Sequence, residues 1–352
     1  MADPAAVAIR DDRVARVAAS KHMTEKKMNA VQPIDVPGLV SAAHERTRDY
    51  LVPTPLEFSR YLSDLVAGEV WLKLDLVQKT ASFKYRGALN KILSLTDEEL
   101  DRGVVAASTG NYALAVAEAM RQRGRRATIY VAEDMDESRL GILRAHGLDI
   151  VIHGALAWDA EKEARRVADE EGKIYVSPYN DPEVVGGQGT CGYEISQQLP
   201  DVEAALFACG GGGLVAGSAG WLKHFNAAIE TYGVSPVNSP VMYESIRQNK
   251  IVEMDTRPTL ADTCAGGVDL DSITLAPCRR YVDDVLLLEE KEIEDAVRLL
   301  FEQHRLIAEG SGALSIGGLV KHKEKFAGKK VVAVICGRNI DLDVFKRIIG
   351  AG

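Results

Sequence analysis

From Val36 onward, short apolar runs alternate with longer segments whose apolar positions recur at helical spacing. The runs Val70–Leu74, Val104–Ala107, Ala127–Val131, Asp149–His153, Ile174–Ser177, Ala205–Ala208 and Val331–Ile335 predict strands. Among the segments between them, Ala113–Arg123, Glu137–His146 and Asp159–Glu171 predict helices. The first of these stops at Gly124, a residue suited to a helix C-terminus. Strands alternating with helices predict βαβ units, hence an α/β fold of open, mostly parallel sheets with helices on both faces. The run "VVAVIC" is apolar throughout, as a parallel strand covered on both sides must be. One uncharged window, Ala204–Leu222, is long enough to cross a bilayer. It holds six glycines, four of them consecutive, so a strand, a glycine loop and a helix start explain it better. No internal repeat and no low-complexity tract is visible.

The chain has 352 residues, which suggests about two domains. Its net charge of −9 argues against a nucleic-acid or anionic-membrane binder, since either needs a basic face. A single basic pocket for an anion survives that argument. The five cysteines, at 191, 209, 264, 278 and 336, form no CxxC pair and no zinc-spaced cluster. Reduced thiols in a cytoplasmic protein are expected. Residues 1–28 are rich in Ala, Asp and Lys without an amphipathic period, and no signal peptide is expected there. "SKHM" before Thr24 reads as a cloning junction, and this tail is expected to lie outside the fold.

Four stretches carry candidate chemistry. Ser82-Phe83-Lys84 follows a small-polar turn and opens a helical pattern. A partly buried lysine has a lowered pKa and becomes a usable Schiff-base amine, and Phe83 could cover a planar ring. Ser108-Thr109-Gly110-Asn111-Tyr112 lies between a strand and a helix, where free N–H groups and the helix dipole favour an anion. A mere helix cap would look the same. Gly210-Gly211-Gly212-Gly213-Leu214 also joins a strand to a helix, and its amides could close around a phosphate. The same stretch contains a degenerate dinucleotide fingerprint (Gly211, Gly213, Ala216) with Glu230 downstream, but no Walker A loop. Cys336-Gly337-Arg338-Asn339 ends the last strong strand, where open α/β sheets bind ligands.

In this order the four stretches resemble the fold-type II pyridoxal-phosphate enzymes, especially the threonine/serine dehydratase and serine racemase family. The resemblance runs from Thr54 to Ile349 and is supported by "GILRAHGLDIVIHG", "YNDPEVVGGQGTCGYEI" and "AEGSGALS". "LADTCAGGVDL" and "GRNIDLDVFKRII" are similar, more narrowly, to dehydratase-like proteins of hydroxyectoine utilisation. The resemblance implies that Lys84 forms the Schiff base with pyridoxal phosphate and later moves the Cα proton. It implies that Phe83 packs on the ring and that Gly210, Gly211, Gly212, Gly213 and Leu214 hold the phosphate. Asn111 would bond the ring's 3′-oxygen, and Cys336 would face the pyridine nitrogen. Ser108, Thr109, Asn111 and Tyr112 would receive the carboxylate of an amino-acid substrate.

There are departures from the family pattern. Tyr112 replaces the usual His, and Thr263 stands where many dehydratases have Gly. Ser235 and Val241 occupy the places of the Glu and Asp that bind a divalent cation in many relatives, so no metal site is expected.

The implied architecture is a large cofactor-binding domain, 29–101 plus 181–352, with a small domain, 102–180, inserted in it; a homodimer is expected. The implied reaction removes the β-hydroxyl of a 3-hydroxy amino acid and yields a 2-oxo acid and ammonia. Other readings stay open. A racemase would use Thr109 as its second base, and a nicotinamide-dependent dehydrogenase would use the glycine stretch with Glu230. A ligand-binding descendant would show no turnover.

Overall fold

The computed structural model describes residues 34–350 except 134 and 136. The tail expected over residues 1–28 lies outside the described residues. The chain opens with α1 (Val36–Thr47), β1 (Leu56–Phe58), α2 (Arg60–Val66), β2 (Glu69–Lys73) and α3 (Lys84–Ser94). Next come α4 (Asp97–Arg102), β3 (Val104–Ala107), α5 (Asn111–Gln122), β4 (Ala127–Val131), α6 (Glu137–Ala145) and β5 (Asp149–Ile152). They are followed by α7 (Ala157–Glu171), β6 (Ile174–Tyr175), α8 (Pro182–Gln198), β7 (Ala204–Ala208), α9 (Gly213–Phe225) and β8 (Glu230–Pro236). The last elements are α10 (Val241–Gln248), α11 (Leu275–Tyr281), β9 (Asp284–Leu288), α12 (Glu290–His304), α13 (Gly310–Lys321), β10 (Lys330–Val334) and α14 (Leu342–Ile349).

The strands form two sheets. One has six strands in the order β1-β2-β10-β7-β8-β9, the other four in the order β5-β4-β3-β6. Among the strand pairs of the described residues, only β1 and β2 run antiparallel and the others are parallel. The α/β architecture read from the alternation is therefore the one observed. The expected strands sit within a residue or two of the observed ones, except that β6 has two residues instead of four. There the chain turns at Ser177, whose hydroxyl accepts from Asn180 N at 2.9 Å. Strands β1, β8 and β9 were not expected. No helix among the described residues is long and apolar enough to cross a membrane.

Local chemistry sets several helix starts. α8 begins at Pro182, and the Asp181 carboxylate accepts from Glu183 N and Val184 N. α4 opens with a capping box between Thr96 and Glu99. One buried apolar cluster joins β7 and β10, through Leu206, Phe207 and Val332, to α9 and α13. A second joins β3 and β4 to α3 and α5, through Val104, Ile129, Leu89 and Val116. Helix α3 thus begins beside the six-stranded sheet and buries its apolar face in the core of the four-stranded one.

Candidate active site

Strand β10 lies between β2 and β7 and runs parallel to both, so the segments after all three leave the sheet at one edge. That edge collects the lysine turn, the glycine loop and Cys336, as ligand sites at strand C-termini require. After β2 the chain passes through a left-handed residue, Ala81 (φ 59°), a conformation costly for a residue with a Cβ. It is held there by Arg338 N donating to Ala81 O at 3.0 Å and by Phe83 N donating to Cys336 O at 2.9 Å. Lys84 is the first residue of α3. Its Nζ lies 3.4 Å from Pro178 O, 5.0 Å from the centre of the Phe83 ring and 5.8 Å from that of Tyr112. Loss of hydration around this amine lowers its pKa, although Cys264, Cys336 and Glu309 pull the other way.

The glycine loop follows β7, whose five residues are all buried. Gly212 has φ 86°, and a Cβ at Gly211 would come within 2.5 Å of the Tyr179 ring, so neither position accommodates a side chain. Gly212 caps α9 without any side-chain hydrogen bond, which leaves the first-turn N–H groups of that helix without a capping side chain. Thr274 Oγ1 fixes the loop by donating to Gly211 O at 2.7 Å. The result is a bare cradle of backbone donors at a positive dipole end, suited to a phosphate. Leu214 is buried in the first turn of α9.

Ser108, Thr109 and Gly110 form the turn between β3 and α5, with Gly110 N donating to Ser108 Oγ at 3.3 Å. Asn111 Nδ2 donates to Glu309 Oε1 at 2.7 Å. The Tyr112 hydroxyl donates to Ser177 O at 2.7 Å and is spent on the protein; its remaining polar offering is a backbone N–H at the helix start. Cys336 is buried, with Sγ 3.5 Å from Ser311 O, and burial pushes its thiol well above the ordinary range, so it stays neutral.

One segment that had been given no part in the site ties these parts together. In Ser177-Pro178-Tyr179, Ser177 O receives the Tyr112 hydroxyl, Pro178 O faces Lys84, and the Tyr179 ring covers Gly211. The Tyr179 hydroxyl in turn accepts from Asp269 N at 2.9 Å. The segment's position just past β6, again at a strand C-terminus, was the available signal. Glu309 was also missed. It caps the start of α13, and burial, with Asp262 nearby, raises its carboxyl to about 7, against the pull of Asn111, Asn339 and Lys84.

Glu230, by contrast, does not join the site. A dinucleotide fingerprint needs its acid at the C-terminal end of the strand that follows the glycine-loop helix. Glu230 instead begins β8, pairs with Lys329 at 2.6 Å and accepts from the Tyr232 hydroxyl at 2.7 Å. At the place considered for a cation, the Ser235 hydroxyl is used on Cys209 O at 2.5 Å, and Val241 is buried.

A backbone cradle suited to a phosphate, a desolvated lysine amine and an aromatic wall at one sheet edge fit an α/β enzyme with a phosphorylated aldehyde cofactor. The family model described as "Pyridoxal-phosphate dependent enzyme" matches residues 47–337. The chain belongs to this family, and its cofactor is pyridoxal phosphate. It is 39% identical over 313 residues to an L-threonine ammonia-lyase of Thermotoga maritima, covering 89% of this chain and 78% of that one. It is 34% identical over 323 residues to a catabolic L-threonine dehydratase of Escherichia coli, covering 90% and 97%. Among solved structures it is similar to the processed form of threonine deaminase isoform 2 from Solanum lycopersicum. That match has a TM-score of 0.85 and 31% identity, covering 90% of this chain and 92% of that one. Maize serine racemase follows with a TM-score of 0.81 and 29% identity, covering 89% and 98%.

Proposed function

We propose that this protein eliminates the β-hydroxyl of a 3-hydroxy amino acid of the threonine or serine type, giving a 2-oxo acid and ammonia. The observation that carries the reading is the desolvated Lys84 amine beside the glycine cradle, joined to it through Pro178 and Tyr179. Relatives named for threonine ammonia-lyase and dehydratase activity, matched over most of the chain, support it. In this reading Gly210, Gly211, Gly212, Gly213 and Leu214 hold the cofactor phosphate. Phe83 would wall the ring, Asn111 would donate to its oxygen, and Cys336 would stand toward its nitrogen. Bound pyridoxal phosphate supplies the electron sink for a carbanion at Cα. Lys84 takes the Cα proton. Ser108, Thr109, Asn111 and Tyr112 orient the substrate carboxylate through hydroxyls and helix-start N–H groups. Loss of hydroxide, as water, leaves an enamine that tautomerises and is hydrolysed. The reading carries with it a large domain with residues 102–180 inserted as a small one, and a cytoplasmic homodimer whose assembly light scattering tests.

Racemisation requires a second proton donor on the far face, and Thr109 is a weak one. Its hydroxyl is barely acidic, and its β-branch restricts the rotamers that could aim it. With L-serine in D₂O, pyruvate is therefore expected to form well ahead of D-serine. A chiral assay run beside a coupled oxo-acid assay decides this, and D-serine forming faster would replace the dehydratase reading with a racemase. Cys336→Ser is expected to keep cofactor loading and elimination within about tenfold, roughly 1.4 kcal/mol of barrier. The neutral thiol already lacks an acidic proton to give the ring nitrogen, and a serine hydroxyl can make the same bond to Ser311 O. Normal loading with activity lost by orders of magnitude would remove the role assigned to Cys336.

A further inference from the structure

We infer that Asn339 is a positioning residue: anchored on the Thr80 carbonyl, it fixes which way round the Asn111 amide stands, and so presents an N–H to the cofactor ring. This inference rests on the pyridoxal-phosphate reading of the site. An amide side chain has an accepting and a donating end of nearly the same shape, and its neighbours decide the orientation. Here the deciding group is a backbone carbonyl, which can only accept. Asn339 Nδ2 donates to Thr80 O at 3.1 Å, so its NH₂ group must point that way. The same NH₂ group donates to Asn111 Oδ1 at 2.5 Å. The Asn111 carbonyl is thereby committed, and its own NH₂ faces the opposite side. One of those two N–H bonds goes to Glu309 Oε1 at 2.7 Å. The other remains for an anionic ring oxygen. With the amide reversed, a carbonyl would meet that oxygen, and like partial charges would repel.

The segment bearing Asn339 is built for this close approach. A Cβ at Gly337 would come within 2.2 Å of Glu309 Oε1, so only glycine lets the carboxyl reach Asn111. Glu309 N also donates to Gly337 O at 3.2 Å. The same segment clamps the lysine turn through Cys336 O and Arg338 N. One four-residue stretch therefore locates Lys84 and Asn111 relative to each other, although α3 and α5 carry them separately. The titratable groups around Glu309 are Asp262, Lys84, Cys264 and Cys336. An ionised Glu309 favours the same orientation, whereas a protonated one could donate from Oε1 to a reversed amide, so Glu309 alone does not fix the polarity at every pH. The Thr80 carbonyl does.

The test measures pyridoxal-phosphate dissociation constants for the full-length wild type, Asn339→Asp, Asn339→Ala, Asn111→Ala and the double variant Asn111→Ala/Asn339→Ala. Thermal melts establish that each is folded. Asn339→Asp is expected to weaken cofactor binding at pH 8 by about tenfold or more, the equivalent of one hydrogen bond lost. The loss should shrink as pH falls and the introduced carboxyl gains a proton to donate. Asn339→Ala should weaken binding in the wild type but by less than about twofold in the Asn111→Ala background, because the route through Asn111 is gone. Unaltered affinity in Asn339→Asp, or losses that simply multiply in the double variant, would overturn the inference. Failure of the wild type to retain borohydride-fixed cofactor on Lys84 would instead overturn the site reading beneath it.

Discussion

Lys84→Ala is expected to yield a folded protein with no measurable turnover. The described site offers no second amine in its place: Lys84 Nζ faces Pro178 O between the Phe83 and Tyr112 rings, and the groups that influence it are two thiols and a carboxyl. Removing a positioned base costs about 10²–10⁴ in rate, and losing the covalent anchor adds to that. Stability should change little, by about 1 kcal/mol or less. The amine's one hydrogen bond is long at 3.4 Å, and burying it already works against folding. Borohydride treatment followed by peptide mass analysis should find cofactor fixed to Lys84 in the wild type and nowhere in the variant. Substantial turnover by Lys84→Ala, or cofactor fixed to another residue in it, would defeat the proposed function.

The candidate site was legible in the sequence where a local signal announced it. The glycine tetrad can serve only where side chains are excluded, and the structure supplies the reasons in the Tyr179 ring and the left-handed Gly212. The parallel sheets were legible because buried strands such as β7 and β10 are continuous apolar runs. Strand β8 hid because "ETYGVSP" interleaves polar residues and a proline with apolar ones. It is buried all the same because its polar atoms are paired, Thr231 with Tyr281 O and Ser235 with Cys209 O. Strand β9, as long as β7 and β10, sits among acidic residues that suit a helix start equally well. Asn339 stood in a candidate stretch, but its part in the site, like those of Pro178, Tyr179 and Glu309, was illegible for another reason. Their parts in the site come from contacts across many residues of sequence, as with Asn339 on Thr80 and Glu309 on Asn111. The Tyr112 hydroxyl shows the converse. The family resemblance assigned Tyr112 to the substrate carboxylate, and the fold spends its hydroxyl on Ser177 O.

Arg86→Ala is expected to cost about 3–5 kcal/mol of stability at neutral pH, because it strands buried carboxylates. Arg86 sits two residues beyond Lys84, and neither its side chain nor that of Asp75 is exposed at all. The guanidinium donates to Asp75 Oδ1 and Oδ2 at 2.8 and 2.7 Å and to Glu194 Oε1 and Oε2 at 2.6 and 2.9 Å. It also reaches Thr190 Oγ1 at 3.1 Å and Thr54 Oγ1 at 3.2 Å. Lys73, equally buried, pairs with Glu194 at 2.5 Å and donates to Thr54 O at 2.8 Å. Two cations thus balance two carboxylates, and deleting Arg86 leaves one negative charge over. Burial alone would raise Asp75 and Glu194, but Arg86 foremost, with Lys73, more than offsets it and holds both below the ordinary carboxylate range. In the wild type this linkage stabilises the fold above a pH of about 4 and is lost as pH falls through the lowered values. In the variant the sign reverses: buried carboxyls without their partner take up protons more readily folded than unfolded. Between pH 7.5 and pH 4.5 acid therefore relieves the variant while the wild type's linkage is still largely in place, and the stability gap should narrow over that range. Denaturant titrations at the two pH values measure it, and a gap below about 1 kcal/mol, or one indifferent to pH, would show that the network does not carry this load. The turn that presents Lys84 is continuous with Arg86, so cofactor retention should fall together with stability in Arg86→Ala. In Lys84→Ala, where the network is untouched, the cofactor should be lost and the stability kept.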